Sequence, residues 1–129
     1  MIVVDTSAIV DVLVSSEPDP ELRSLVSQGD VHAPHLLDVE VVSALRRHVA
    51  RGTLSADRAA DARKDFEALT IVRYPHVPLL DRIWELRENL TAYDAAYVAL
   101  SELLGAPLVT CDASLARAPG HEAEVKVFA

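Results

Sequence analysis

Five short apolar runs constrain this chain most. Ile2 to Asp5, Val31 to Ala33, Ile71-Val72, Leu108 to Thr110 and Val125 to Phe128 are each only a few residues long, and helical patterns lie between them. Runs so short and so nearly continuously apolar fit strands buried on both faces rather than strands with one wet face. Strands that alternate with helices define an α/β chain, a three-layer sandwich with a parallel sheet between helices. A hydrophobic share of 50% supplies the core this needs. At 129 residues, with no internal repeat, linker or low-complexity stretch, the chain reads as one domain over residues 1–129.

The helical segments carry their own punctuation. Thr6-Ser7 opens the pattern Ala8, Ile9, Val12, Leu13, and Pro18-Asp19-Pro20-Glu21 starts a second helix that ends at Gly29-Asp30. Pro34 is expected to start a helix running to about Ala50, and Ser55 to cap one running to about Leu69. Pro78 to Asn89 and Thr91 to Leu104 read as helices, the latter closed by Gly105 and Pro107, and Ser114 to Ala118 reads as a helical turn.

In open parallel sheets, ligands sit beyond the carboxyl ends of the strands, so polar residues just after the strand runs are the first place to look. Asp5 ends the first run and Asp112 follows Leu108-Val109-Thr110. Each is followed by a helix start, so each is as well placed to cap a helix as to bind a ligand. Two further acids lie within apolar helical stretches. Glu40 has Leu36, Leu37 and Ala44 as its helical neighbours, and Asp94 has Leu90, Tyr97 and Val98. Buried unpaired charge is costly, so such acids call for a partner or a cation. Asp94 also suits the first turn of its helix, where the macrodipole favours an acid, and Asp38 is not separated from Glu40 by periodicity.

Four carboxylates gathered at one sheet end repel one another, and a divalent cation resolves that. All-oxygen ligation suits Mg²⁺ or Mn²⁺, whereas zinc prefers His and Cys. No His pair has zinc-like spacing with a Glu: His32 and His35 flank a turn, His48 lies among arginines, and His76 and His121 fall in loops, so structural or surface roles suit all five. Nucleotide-binding glycine motifs, the GxSxG elbow and the DxDx[TV] phosphatase motif are missing. Cys111, the single cysteine, reads as a small buried residue and fits a reducing compartment. These features point to metal-assisted chemistry on a phosphate ester.

Overall charge argues against such a substrate, since 20 acidic residues against 12 basic ones give a net charge of −8. The distribution is uneven, however. Between Arg46 and Lys64 there are six basic side chains against Asp57 and Asp61, which makes this the one basic stretch. Arg46, Arg47 and Arg51 follow the Glu40 helix and are expected to hold a polyanion backbone, against the plainer reading of solvated helix faces. The start Met1-Ile2-Val3-Val4-Asp5 has no basic region or long apolar run, and nothing approaches a membrane span, which predicts a soluble, cytoplasmic chain.

Four blocks, in this order and spacing, resemble the PIN-domain ribonuclease toxins of the VapC type. They are Met1 to Ala8, the Glu40 helix ending Ser43-Ala44-Leu45-Arg46-Arg47, Leu90 to Leu100 with Asp94, and Pro107-Leu108-Val109-Thr110-Cys111-Asp112. The similarity covers essentially the whole chain. It implies that Asp5, Glu40, Asp94 and Asp112 form an acidic quartet around Mg²⁺ or Mn²⁺, supported by hydrogen bonds from Ser7 and Thr110. It also implies a parallel sheet of four or five strands, a homodimer, and inhibition by a cognate VapB-type antitoxin. The implied reaction is endonucleolytic hydrolysis of RNA to 5′-phosphate and 3′-hydroxyl ends, with one or two metal ions. Cys111 departs from the Ala or Asn usual at its position. The rival readings are a non-catalytic RNA- or protein-binding module whose acids only cap helices, and a small Mg²⁺-dependent phosphatase.

Overall fold

A computed structural model describes residues 1–129. Its five strands are β1 (Ile2–Val4), β2 (Val31–Pro34), β3 (Ile71–Tyr74), β4 (Leu108–Thr110) and β5 (Val125–Val127), and all neighbouring pairs run parallel. Seven helices accompany them: α1 (Thr6–Val14), α2 (Pro20–Gln28), α3 (Leu36–Ala50), α4 (Ala56–Ala68), α5 (Leu80–Glu85), α6 (Ala92–Leu104) and α7 (Ser114–Arg117). The class is the α/β three-layer sandwich expected from the alternating runs.

The strand order is β3-β2-β1-β4-β5. The chain therefore builds outward from β1 in one direction through β2 and β3, then returns to β1's other edge for β4 and β5. A reversal of this kind leaves a crevice at the carboxyl ends of the two strands it separates, here β1 and β4. Their register places Val3 beside Leu108 and Val4 beside Val109, so Asp5 emerges next to Thr110.

The core joins Val3, Val4, Leu108 and Val109 from the sheet to Ile9 of α1, Leu37 and Val41 of α3, and the buried face of α6. In α6, every residue from Ala95 to Ser101 is buried, because the alanines at 95, 96 and 99 let the helix lie close along β1 and β2. A helix apolar on all sides belongs inside. It ends at Gly105 in the left-handed region (φ 62°), a conformation that costs a side-chain-bearing residue more than glycine.

Two boundaries differ from expectation. Pro34 closes β2, paired with Tyr74, and α3 begins only at Leu36, whose N–H donates to Nε2 of His76 (2.9 Å). The helix expected over Pro78–Asn89 is a 3₁₀ turn at Val77–Leu79 followed by the short α5. Past Glu85, Leu86 N–H is shared between the carbonyls of Arg82 and Ile83, and the polar run Arg87-Glu88-Asn89 has no face to bury. His32 does not flank a turn. It is buried within β2, bonded to the Tyr74 hydroxyl (2.7 Å) and Asp30 Oδ1 (2.8 Å).

Candidate active site

A cleft of about 530 Å³ opens over the crevice between β1 and β4. Asp5, Glu40, Asp94 and Asp112 all line it, and so do Asp11, Thr6, Ser7 and Tyr97. The acids arrive on four different elements: Asp5 from the β1–α1 junction, Glu40 from α3, Asp94 from the first turn of α6, and Asp112 from the loop after β4.

Asp5 is the most deeply set, at 6% exposure. Its Oδ1 accepts from Ala8 N–H (3.1 Å) and Ser7 Oγ (2.7 Å), and its Oδ2 accepts from Thr110 Oγ1 (2.5 Å). It is thus the N-cap of α1 and a wall of the cleft at once, so capping the helix does not take it away from the cleft. Ser7 and Thr110 also touch one another (3.1 Å), and each accepts a backbone N–H from the loop after β4, of Cys111 (2.9 Å) and Asp112 (2.9 Å) respectively. Two hydroxyls therefore fix both Asp5 and the loop that carries Asp112. The Asp112 side chain turns the loop by accepting from Ser114 N–H (2.9 Å) and Oγ (2.6 Å), both on Oδ1; the cap position of α7 is Ala113.

Burial, opposed by the three hydrogen bonds and aided by repulsion from Asp112, holds the Asp5 carboxyl above the usual carboxylate range. Burial does the same to Asp94, followed by repulsion from Asp112, Asp5 and Glu40. Asp94 thus feels the other three acids. Thr91 Oγ1 caps α6 by accepting Asp94 N–H (3.2 Å), and its hydroxyl also favours the charged Asp94 carboxylate, though by less than burial and the neighbouring acids oppose it. Asp38 does not join the group: Arg73 Nε holds both its oxygens (2.8 and 3.0 Å) away from the cleft.

The basic residues separate. Arg47 and His48 line the cleft, whereas Arg46 faces a groove between α3 and α4, and Arg51 is exposed at the α3 C-cap. Successive helix positions point about 100° apart, and here the step from Arg46 to Arg47 carries the side chain from the α4 side to the cleft. Sequence reasoning placed His48 on the surface, yet it reaches the cleft rim. It also passed over Thr6 and Tyr97, which meet Glu40 there. The available signals were the tyrosine hydroxyl one turn after Asp94, in a helix otherwise rich in alanine, and the threonine directly after Asp5. Cys111 is half-buried, and burial pushes its thiol up to about 11, which leaves it unsuited to nucleophilic attack.

Residues 2–121 match the model of the PIN domain. The chain belongs to the PIN-domain family. Within that family it is 46% identical over 115 residues to ribonuclease VapC9 of Mycobacterium tuberculosis, covering 89% of this chain and 88% of the relative. It is 45% identical over 127 residues to ribonuclease VapC1 of the same organism, covering 97% and 96%. The crystal structure of VapBC2 from Rickettsia felis, bound to a DNA fragment from its promoter, contains a chain superimposing with a TM-score of 0.69 over all of both chains at 16% identity. This PIN domain thus carries its acids at the point where its sheet order reverses. No helix in it is long and apolar enough to cross a membrane.

Proposed function

We propose that this PIN domain, one unit over residues 1–129, is the toxin of a type II toxin–antitoxin pair. It works in the cytoplasm as a metal-dependent endoribonuclease that hydrolyses RNA to 5′-phosphate and 3′-hydroxyl ends. The observation that carries the reading is a cleft at the sheet's reversal point lined by five carboxylates, Asp11 beside the four that arrive on separate elements, with only Arg47 and His48 as basic side chains. VapC9 and VapC1, similar over nearly their whole length, are named ribonucleases.

The donor set fits Mg²⁺, with Mn²⁺ as a substitute, because it is oxygen throughout. As they stand, no three His, Cys, Asp or Glu side chains are arranged to hold an ion directly. Mg²⁺ does not need them to be, since it keeps several waters and takes one or two carboxylates. Asp5, Glu40, Asp94 and Asp112 would hold it, with Ser7 and Thr110 in support. When bound, the ion supplies the positive charge that lets the acids share the cleft with a phosphodiester, and makes water a stronger acid.

The chain's own residues do the rest. Asp94, held above the usual carboxylate range by burial and its acidic neighbours, is placed to take a proton from the attacking water. Attack forms one P–O bond and breaks the bond to O3′, leaving the 5′-phosphate. Arg47, two helical turns and roughly 10 Å along α3 from Glu40, is placed to hold a neighbouring phosphate. Arg46 and Arg51 lie outside the cleft and would meet only RNA that extends beyond it.

Two exposed apolar surfaces suit the expected partners. The α3–α4 groove, lined by Val42, Leu45, Val49 and Ala59, suits a helix of a VapB-type antitoxin, one of whose basic side chains would replace the cation's charge in the cleft. The face carrying Leu80 and Trp84, the latter 67% exposed, suits a second copy in a homodimer.

RNA incubated with the purified chain and Mg²⁺ tests the reading. Cleavage that stops in excess chelator and in Asp5→Asn is expected. Intact RNA alongside turnover of a phosphomonoester would make the chain a phosphatase, and activity at full rate in chelator would remove the metal.

A further inference from the structure

Glu40 is held differently from the other acids. Tyr97 Oη donates to its Oε1 at 2.5 Å, Thr6 Oγ1 donates to the same oxygen at 2.9 Å, and the two hydroxyls lie 3.0 Å apart. The three oxygens form a triangle served by two protons. With both directed at Oε1, the two acceptor sites of that oxygen are filled, and the contact between the hydroxyls carries no proton. No hydrogen bond reaches Oε2. The tyrosine ring is buried at 2% exposure within α6, so its hydroxyl is delivered from the core and has little freedom to move.

We propose that Tyr97, with Thr6, is a positioning residue that clamps Glu40 by Oε1 so that Oε2 faces the cation. The inference rests on the nuclease reading of the cleft and adds a division of labour within one carboxylate. Glu40 has three side-chain torsions, and fixing such a side chain costs rotamer freedom. Repulsion from Asp5, Asp94 and Asp112 would also turn it outward to water. Two hydroxyls hold it inward without neutralising it, which an arginine could not do. Asp5 shows the same device, built from Ser7 and Thr110, while Asp94 has no such clamp. Neither Tyr97 nor Thr6 needs to touch substrate in this account.

Mn²⁺ titration of the full chain by calorimetry, with circular dichroism to verify folding, tests the clamp without any activity assay. Tyr97→Phe keeps the buried ring and removes only the hydroxyl. It should weaken Mn²⁺ binding about tenfold or more, the usual consequence of losing a partner that orients a ligand. Thr6→Val should also weaken it, and Thr6→Ser should restore it. In a Glu40→Gln background, Tyr97→Phe should change nothing further, because the oxygen it positions no longer matters. A folded Tyr97→Phe with wild-type affinity overturns the clamp, and so does an equal loss in both backgrounds. Should Tyr97→Phe fail to fold, the Thr6 pair decides: Thr6→Val binding as tightly as wild type overturns the proposal. A wild-type chain that takes up no Mn²⁺ overturns the nuclease reading itself, which is a separate observation.

Discussion

Two groups of acids on this chain are treated in opposite ways. Glu102, on α6, is met by Arg82 Nε (2.8 Å) and Nη2 (3.0 Å) and by the N–H of Glu122 (2.8 Å), while Arg82 also bonds Glu85 and the carbonyl of Gly120. Arg82, and secondarily the Glu122 N–H, hold the Glu102 carboxyl below the usual carboxylate range. Asp94, at the other end of the same helix, is held above it by burial and by three neighbouring acids. Glu102 ties the C-terminal segment to α5 and α6, so its charge is neutralised at once. In the cleft, hydroxyl groups fix Asp5 and Glu40 and leave their charge uncompensated. A fixed but unpaired acid is what a site awaiting a cation requires, and it is also a source of instability.

The largest expected effect follows from that contrast at Asp94. Asp94→Asn should lower RNA cleavage by more than about 100-fold, beyond the usual cost of losing a supporting partner. In chelator at neutral pH, the same variant should be slightly more stable than wild type, because it removes a repelled carboxylate. For a half-exposed group screened by solvent, the gain should stay under about 1 kcal/mol. Thermal unfolding checks this, and a clear loss of stability would mean that Asp94 supports the fold.

Glu102→Ala should do the reverse, costing about 1–2 kcal/mol of stability while cleavage per folded molecule is unchanged. Its folded carboxyl lies below the unfolded value. Its contribution is therefore present above the unfolded pKa and lost as pH falls through the folded one. The stability gap between wild type and Glu102→Ala should accordingly close on acidification from neutral pH. A gap independent of pH would place the loss in packing rather than in the ion pair.

Much of this was legible in the sequence, and the failures have physical causes. Asp5 and Asp112 stand out because strand ends in a parallel sheet converge on one edge, whatever the details of packing. Glu40 could not be separated from Asp38, because α3 is apolar on nearly every side and only the position of Arg73, on β3, draws Asp38 away. The basic stretch looked continuous in one dimension, but helical rotation sends Arg46 and Arg47 to different surfaces. The Tyr97 hydroxyl was hidden because an aromatic in a buried helix reads as core, which its ring is.

The chemistry of the RNA ends tests the account most directly. If the carboxylate cleft directs water at phosphorus, fragments made by the wild-type chain with Mg²⁺ will carry 5′-phosphates, ligate to an adaptor without prior kinase treatment, and end in free 3′-hydroxyls. Fragments with 5′-hydroxyl and 2′,3′-cyclic phosphate ends would contradict it, because the attacking group would then be the RNA's own 2′-hydroxyl and the acids would have no part in activating water.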